Sequence, residues 1–388
     1  MNTQIPSEHF EPPVKKMWFP GKIMRVLTYL IAIITLISGF GGNFNPSHFW
    51  YLAFTSLAFP ILFILNLVLV VVWIFRGRKM VWVPLVAILA TAFNIPAMAQ
   101  WNPFSEKQDF VEGQSEEIKM MSFNVRLFDL YNWSHNEETK AKIFNLFESE
   151  QPEILCIQEF YSAEIKKQQN VKMIMDILNF KSSHVEFPIT INKHDHYGIA
   201  TLTKFPIVKK GVLYFDQKTA NICIFTDINV GTDTIRVYNC HLQSVRFGEK
   251  EYKFLESIGN DKEDEPTGEE AAVRTRNILS RLKHAFVQRS QQVDMIAQHI
   301  RNSPYPIIIC GDFNDTPTSY TYKTISEGLS DAFRESGNGF GTTYAGPIPG
   351  LRIDYILHSP QINSYDFRVG KQKLSDHYPV SATLVVKK

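Results

Sequence analysis

Long apolar runs without a charged residue dominate the first hundred positions of the chain. No Lys, Arg, Asp or Glu occurs between Val26 and Phe75, and a second charge-free run extends from Met80 to Ser105. About 20 apolar residues suffice for a helix to cross the hydrocarbon core of a bilayer. The polar turn GGNFNPSH divides the first run, and three such stretches argue against buried helices of a soluble core. The pattern therefore predicts three transmembrane helices, near 24–41, 50–75 and 80–99.

Beyond residue 117 the pattern changes to short apolar runs rich in β-branched residues. These runs alternate with stretches of helical periodicity at 137–150, 162–179 and 270–301. So many strands in about 270 residues suit two packed mixed sheets covered by helices better than one open sheet. Residues 101–117 are polar and aperiodic, which is typical of a linker. The predicted plan is a cytoplasmic tail at 1–21, a membrane region at 22–100, a linker at 101–117 and a soluble α/β domain at 118–388.

The basic residues beside the apolar runs predict the orientation of the chain. Four lie before or at the start of the first predicted helix: Lys15, Lys16, Lys22 and Arg25. Three more separate the second helix from the third: Arg76, Arg78 and Lys79. The loop between the first two helices has none, and Lys and Arg near membrane helices tend to remain in the cytoplasm. We therefore expect an integral inner-membrane or plasma-membrane protein with a cytoplasmic N-terminus and an exoplasmic domain, periplasmic in a two-membrane bacterium.

The tetrapeptide AMAQ at 97–100 leaves a second outcome open. Its small-x-small pattern after an apolar segment resembles a signal-peptidase site, and cleavage after Ala99 would release the domain. Small residues are also common inside membrane helices, so the pattern alone does not predict cleavage.

Composition adds two constraints. Lys and Arg number 40 and Asp and Glu 39, so the chain lacks the global basic excess that nucleic-acid-binding proteins often carry, although a local basic groove remains compatible. The acidic stretch at 259–270 is typical of a solvated loop. All four cysteines lie within apolar runs, as expected of buried thiols that pack as small hydrophobes. They are Cys156, Cys223, Cys240 and Cys310.

Polar side chains recur where the apolar strands of the soluble domain end. Taken singly, each could be a turn former or a strand cap. Together they predict one site, because strand ends on the same rim of a sheet converge in space. The residues are Asn124, Gln158, Glu159, Asn239, His241, Asp312, Asn314, Asp354, Asp376 and His377.

Three of these residues suit a divalent cation. Mg²⁺ prefers oxygen ligands and is usually held by one or two carboxylates together with water and substrate phosphate oxygens. Glu159 and Asp376, with Asn124 nearby, provide such a set. We therefore expect Mg²⁺ or Mn²⁺ as the cofactor of a metal-assisted phosphoryl transfer.

The remaining polar residues suit attack of water on phosphorus. Asp312 would orient or deprotonate the water, and Asn314, His241 and His377 would donate hydrogen bonds to the phosphate. His377 can donate from one ring nitrogen only if the other is held, and Asp354 is the expected holder.

Seven motifs in this order resemble the endonuclease/exonuclease/phosphatase superfamily, over about 118–386. They are SFNVR with Asn124, IQE with Glu159, YGIATLTKFPI with Tyr197, NCHLQ with His241, GDFNDTP with Asp312 and Asn314, RIDYIL with Asp354, and SDHYPV with Asp376 and His377. The resemblance implies a four-layer α/β sandwich and hydrolysis of phosphoesters. It also implies a principal metal ligand at Glu159, aligned by Asn124, and a catalytic role for Tyr197.

The resemblance leaves the substrate open. Phospholipid-type phosphodiesters and nucleic acids are both compatible, and the superfamily includes deoxyribonuclease, abasic-site endonucleases, neutral sphingomyelinases and inositol-polyphosphate phosphatases. The stretch at 245–275 is longer and more acidic than a compact member needs, and it would repel a polyanion. A catalytically silent binding protein on the same fold is the remaining alternative. Nothing in the sequence indicates the oligomeric state.

Overall fold

The computed structural model describes residues 21–77, 79–102, 115–165, 168–215, 219–245 and 268–387. The N-terminal part consists of three helices: α1 (Gly21–Gly41), α2 (Pro46–Phe75) and α3 (Trp82–Thr91). Short 3₁₀ segments at Lys79–Val81 and Ala92–Ala97 extend α3 at both ends. We call this unit, residues 21–97, the bundle. Within the described residues, these three segments are long and apolar enough to cross a membrane.

The buried contacts of the bundle include polar side chains, whereas its outer surface is apolar. The Trp73 indole donates to Thr28 Oγ1 at 3.0 Å, and the Asn66 amide donates to Thr35 Oγ1 at 2.6 Å, all within the buried helix contacts. The outward surfaces of α1 and α2 instead carry large apolar side chains, among them Ile33, Ile61, Ile64 and Val68. Interhelical hydrogen bonds with an apolar exterior are typical of helices surrounded by lipid.

Two predicted helix limits differ from the structure. Helix α2 begins at Pro46 rather than near residue 50, because the Asn45 side chain caps it by accepting from Ser47 N and Pro46 occupies the first turn. Ala99, predicted as the end of the third span, instead lies in strand β1 (Ala99–Gln100), which pairs with β11 (Gly339–Phe340).

The second part is a domain of two mixed sheets. Its strands are β2 (Ser115–Asn124), β3 (Ile154–Ala163), β4 (Ser182–Ile191), β5 (Asp195–Thr203), β6 (Ile207–Leu213), β7 (Ile222–Val230), β8 (Asp233–His241), β9 (Ile307–Asp312), β10 (Ser330–Asp331), β12 (Asp354–His358), β13 (Ile362–Val369) and β14 (Val380–Lys387). Its helices are α4 (Thr139–Glu150), α5 (Asn170–Leu178), α6 (Gly268–Arg301), α7 (Tyr320–Ile325) and α8 (Ala332–Ser336).

The strand orders are β10-β12-β9-β8-β7-β6 in the first sheet and β13-β14-β2-β3-β5-β4 in the second. The central pairs β8/β9 and β2/β3 are parallel, and the other pairs within these sheets are antiparallel. Apolar side chains of both sheets, such as Met120, Cys156, Val237 and Ile308, meet in the central core. Helices α4 and α5 cover the second sheet, and α6 and α7 cover the first. The expected four-layer α/β sandwich behind three apolar helices is confirmed.

The predicted helices at 137–150 and 270–301 correspond to α4 and α6. The prediction at 162–179 is wrong in its first half, because β3 continues to Ala163 in pairing with β5, and α5 begins only at Asn170. The first strand of the domain begins at Ser115, three residues before the predicted limit. Three longer segments lie outside the described residues: the tail at 1–20, most of the linker, at 103–114, and residues 246–267, which include most of the acidic stretch at 259–270.

The bundle packs against the helices that cover the first sheet. Ser47 Oγ of α2 lies 2.9 Å from Ser290 Oγ of α6, and the Phe54 ring lies 5.2 Å from the Phe286 ring in an edge-to-face arrangement. The described bundle and the two-sheet domain therefore form one packed body rather than two units joined only through a linker.

Candidate active site

The ends of the central strands bring the predicted residues together on one rim. The parallel pairs β2/β3 and β8/β9 both direct their carboxyl ends to this rim, and antiparallel β12 begins there, with Asp354 opposite Asp312. We call the site formed there the cleft, and the residues that meet in it are Asn124, Glu159, His241, Asp312, Asn314, Asp354, Asp376 and His377.

Asp312 lies at the centre of this cluster. Its Oδ2 accepts from Asn124 Nδ2 at 3.0 Å and from Asn314 Nδ2 at 2.9 Å. Nε2 of His377 and Nε2 of His241 approach the same oxygen at 3.6 and 3.8 Å. Burial raises the pKa of Asp312 to about 6, while the neighbouring His377 opposes the rise. A carboxylate held between donors in this way can accept a proton from water near neutral pH.

His377 forms a buried pair with Asp354. Its Nδ1 donates to the two Asp354 carboxylate oxygens at 3.0 and 3.1 Å, which leaves Nε2 facing Asp312. Burial alone would lower the pKa of His377, but the Asp354 and Asp312 carboxylates raise it well above its ordinary value. The ring can therefore present a charged N–H donor to an anion in the cleft.

Glu159 owes its position to an irregularity in β3. The pairing with β5 shifts between Ile157 and Phe160, and Glu159 lies at this bulge with a positive φ of 45°. A bulge re-aims one side chain of a strand, and here it points the carboxylate toward the cleft. Glu159 Oε1 accepts from Asn124 Nδ2 at 3.2 Å and lies 3.6 Å from His241 Nε2.

The donors around Glu159 suit a hard divalent cation. Burial, and then the negative charge of the nearby Asp376 carboxylate, raise the pKa of Glu159. The two carboxylates therefore lie close enough to repel each other. The carboxylate oxygens of Glu159 and Asp376 match what Mg²⁺ and Mn²⁺ prefer, whereas Asn124 turns its Nδ2 toward Glu159 and accepts from Arg126 N with its Oδ1. A second group, Asp312, Asp354 and His377, also brings one donor atom each within 4.8 Å of the others. Because Mg²⁺ and Mn²⁺ prefer oxygen ligands, the carboxylates of Glu159 and Asp376 suit such a cation better than a group that includes an imidazole.

Tyr197 stands apart from this cluster. It lies on β5 opposite Tyr161, and its hydroxyl pairs with the Tyr131 hydroxyl at 3.2 Å. That hydrogen bond, with burial, raises the pKa of Tyr197 to about 12. Among the contacts of the described residues, none joins Tyr197 directly to the acidic cluster.

The structure adds residues that the sequence reasoning did not assign. Arg126 Nε lies 3.5 Å from Asp376 Oδ2, and the Arg126 guanidinium covers the Trp133 ring at 4.6 Å. Trp133 and Tyr131 are exposed beside the cleft, with ring centroids 5.1 Å apart. The motif SFNVR already placed Arg126 two residues after Asn124, which was the only sequence signal for this position.

The segment that carries Arg126 is strained. Four consecutive residues without glycine, Arg126–Asp129, adopt positive φ angles of 46–58°. Each left-handed residue with a side chain costs about 1–2 kcal/mol, and such strain concentrates at functional sites. The turn folds the chain back so that Arg126 reaches Asp376.

A buried amide pair ties the two sheets together beneath the cleft. The Gln158 amide on β3 donates to Asn239 Oδ1 on β8 at 2.7 Å, and both side chains are fully buried. Each partner lies one or two residues from a cleft residue, Glu159 or His241. The pair therefore fixes the spacing between the two halves of the site.

Comparison with protein families gives two matches. A family model described as the endonuclease/exonuclease/phosphatase family matches residues 121–377, and a model described as a domain of unknown function (DUF8431) matches residues 21–98. The search of curated protein sequences gave no match.

Among solved structures, the chain is similar to an endonuclease/exonuclease/phosphatase from Beutenbergia cavernae. The identity is 15%, the TM-score is 0.49, and the match covers 70% of this chain and 72% of the other. For a protein of the same description from Bacteroides vulgatus the identity is 17% and the TM-score is 0.49, and the match covers 69% of this chain and 98% of the other. For the human Nocturnin catalytic domain the identity is 19% and the TM-score is 0.46, and the match covers 69% of this chain and 94% of the other.

Proposed function

The chain belongs to the endonuclease/exonuclease/phosphatase family, and we propose that it is a membrane-anchored phosphoesterase that uses a divalent cation to hydrolyse phosphodiester or phosphomonoester bonds. The observation that carries this proposal is the Asp312 cluster, in which one carboxylate is held by two carboxamides with two imidazoles 3.6 and 3.8 Å away. Such a constellation combines a base with donors for a phosphate in one cleft.

In the proposed reaction Asp312 orients the attacking water and accepts its proton. Asn314, His241 and His377 donate hydrogen bonds to the phosphate oxygens, and Asp354 keeps the His377 ring in the donating orientation. A cation held by Glu159, Asp376 and Asn124 would neutralise phosphate charge as a Lewis acid. Electrostatic stabilisation of this kind is usually the largest part of such catalysis.

We propose a phospholipid-type phosphodiester as the leading substrate class. The bundle lies close to the cleft, because Thr318, six residues after Asp312, is hydrogen-bonded to Ser56 of α2. Six residues span at most roughly 20 Å. The balanced net charge and the acidic stretch at 245–275 also argue against a long polyanion.

A nuclease acting on DNA or RNA is the second candidate. Its support is the exposed pair Tyr131 and Trp133 beside Arg126, because aromatic faces next to a guanidinium are suited to stacking of bases. A catalytically silent binding protein is less well supported, since Glu159, Asp312 and His377 are all present together.

For orientation, we propose a cytoplasmic N-terminus and an exoplasmic catalytic domain. Arg76 lies beside Met24, so the basic residues near the start of α1 and the end of α2 share one end of the bundle. The contacts with the catalytic domain, such as those of Ser47 and Phe54, lie toward the other end. Basic residues at the end distant from the domain favour cytoplasmic retention of that end.

The test is a turnover screen of the full chain in detergent with Mg²⁺ or Mn²⁺. The substrates are sphingomyelin, phosphatidylinositol phosphates, DNA, RNA and bis(p-nitrophenyl) phosphate. We expect hydrolysis of at least one phosphoester and its loss in excess EDTA. Full activity in EDTA would refute the metal dependence, and the absence of turnover on all substrates would favour the silent binding protein. Preference for nucleic acid over lipid would select the second candidate.

A further inference from the structure

The bundle is hydrogen-bonded to the two segments that carry Asp312 and Asp354. After β9, the loop of residues 313–319 leads to α7, and the Thr318 hydroxyl in this loop donates to Ser56 O of α2 at 2.8 Å. Two residues before Asp354, Arg352 donates from Nη1 to Ala97 O, the last residue of the bundle, at 2.8 Å. Thr318, Ser56 and Arg352 are all at most 3% exposed.

The contact at Thr318 leaves no free space. A Cβ built on Gly42, in the turn between α1 and α2, would overlap the carbonyl oxygen of Thr318 and crowd the backbone of Ser319. The backbone of Gly42 thus packs directly against the backbone of Thr318 and Ser319, and only a residue without a Cβ permits this close contact. A side chain at position 42 would have to displace the loop of residues 313–319.

The two contact points are linked to each other through Tyr355. Its hydroxyl lies 2.8 Å from Asp315 O in the loop and 2.8 Å from Arg352 O. The Asp315 carboxylate is in turn held by Arg289 of α6 at 3.1 Å and by the Thr321 hydroxyl at 2.7 Å. A displacement at either bundle contact is therefore transmitted to the backbone beside Asp312 and Asp354.

The same network reaches the third catalytic strand. Arg289 also donates to Gln243 O at 2.7 Å, two residues after His241. Its neighbour in sequence, Ser290, contacts Ser47 of the bundle. Buried guanidinium and hydroxyl donors are costly to leave without acceptors, so these bonds resist local rearrangement.

From these contacts we infer that the bundle is a positioning element of the active site as well as an anchor. Gly42, Thr318 and Arg352 are positioning residues, which fix the strand ends that carry Asp312 and Asp354. This inference rests on the proposed function for its kinetic consequence, and it concerns the full chain even when the substrate is soluble. Catalytic groups must be held to a fraction of an ångström, and a misplacement of about 1 Å can cost about 100-fold in rate.

The test compares four single variants of the full chain in detergent, with bis(p-nitrophenyl) phosphate as a soluble substrate. Thr318→Val removes the hydrogen bond to Ser56 and keeps the shape, whereas Thr318→Ser keeps the hydroxyl. Gly42→Ala introduces the overlap, whereas Gly21→Ala, at the other end of the bundle with open space around its Cβ, does not. A soluble substrate removes any effect of bundle-dependent access to lipid.

We expect Thr318→Val and Gly42→Ala to lower kcat about tenfold or more with KM changed less than about twofold. Thr318→Ser and Gly21→Ala should retain the wild-type kcat. Hydrogen–deuterium exchange of residues 313–319 should accelerate in the first two variants alone. If Gly42→Ala fails to fold, the Thr318 pair carries the test.

Wild-type kcat in Thr318→Val and Gly42→Ala, or unchanged exchange in both, would overturn the inference. The exchange measurement does not depend on turnover. If the wild-type protein hydrolyses none of the phosphoesters while exchange still accelerates in the two variants, the proposed function falls and the structural coupling stands.

Discussion

At the scale of single residues, Asp312 accepts hydrogen bonds from two carboxamides, and its proposed role is to receive a proton from water. We expect Asp312→Asn to lower kcat by about 10²–10⁴-fold, because the amide cannot act as a base. The measurement is steady-state hydrolysis by the full chain, with the thermal unfolding midpoint as a check of folding. Asp366→Asn, at an exposed position of β13, is the matched control and should retain full activity. Wild-type kcat in Asp312→Asn would contradict the assigned role.

His184 makes a separate prediction about pH. It lies buried between the sheets, with Nδ1 2.8 Å from Thr226 Oγ1, and burial lowers its pKa to about 4. The unfolded chain binds this proton with an ordinary pKa near 6.5. The contribution of neutral His184 to the free energy of unfolding is therefore fully present above about pH 6.5. It decreases by on the order of 3 kcal/mol as the pH falls toward 4.

The measurement is the thermal unfolding midpoint between pH 7.5 and pH 5. The decrease should be smaller in His184→Gln than in the wild type, because the variant has no proton to bind at this position. His194→Gln, in the exposed turn after β4, should leave the decrease unchanged. Equal decreases in all three proteins would show that His184 does not contribute.

Sequence reasoning located the acidic cluster because parallel strands bring their carboxyl ends to one rim. It could not locate Arg126, which approaches Asp376, or Trp133, which lies against Arg126, since both contacts depend on a left-handed turn that no glycine marks. Tyr197 is the opposite case, a residue that the sequence named but that does not contact the cluster directly within the described residues. The motif resemblance named it, but the side chain lies beside Tyr131 and outside the cluster's direct contacts. Local pattern predicts which strand end a residue occupies and not the side-chain direction set by a bulge or strained turn.

At the scale of elements, the parallel pair β8/β9 depends on Gly311. This residue lies opposite Cys240 with φ of 127°, and a Cβ there would overlap Cys240 O. We expect Gly311→Ala to destabilise the protein by on the order of 3 kcal/mol and to lower kcat, because Asp312 is the next residue.

Gly328→Ala is the control for this variant. Gly328 also has a positive φ, of 74°, but nothing lies near its Cβ position. It should therefore show the smaller cost of backbone strain alone, with kcat unchanged. The readouts are the unfolding midpoint and kcat of each variant. Equal destabilisation of both variants would mean that the overlap with Cys240 O adds no cost beyond backbone strain.

The elements themselves were predictable where one periodicity dominated a long stretch. Helices α1, α4 and α6 lie within a few residues of the predicted ranges. The error at 162–179 arose because the final residues of β3 are held by pairing with β5, a partner more than 30 residues away that local periodicity does not reveal. Tertiary pairing decides such boundaries.

At the scale of the whole molecule, the topology is open to a direct test. We expect an alkaline-phosphatase fusion after residue 110 to be active and a green-fluorescent fusion at the same position to be dark. Fusions after residue 77, beside the basic end of the bundle, should behave in the opposite way. The physical reason is the tendency of Lys and Arg beside membrane helices, here Arg76 and Lys79, to remain on the cytoplasmic side. A fluorescent fusion after residue 110 would overturn the exoplasmic assignment and favour an intracellular substrate.

The packing of the bundle on the domain could not have been predicted from the sequence. Thr318 and Ser56 are separated by 262 positions, and neither motif nor hydropathy distinguishes them from other polar residues. Apolar runs predict that helices exist and can span a membrane, but contacts between two units depend on complementary surfaces that only the assembled chain presents.

The pairing of β14 with β2 bears on how the protein is made. Strand β14 lies in the interior of the second sheet and pairs residue by residue with β2, from Val380 opposite Ser122 to Lys387 opposite Ser115. The ribosome therefore has to add some 260 residues after β2 before its partner exists, and pairings of such sequence separation form slowly. Until then the apolar edges of β2 and β13 remain open to aggregation and proteolysis. We therefore expect a newly synthesised chain to expose these two strand edges until β14 has been completed.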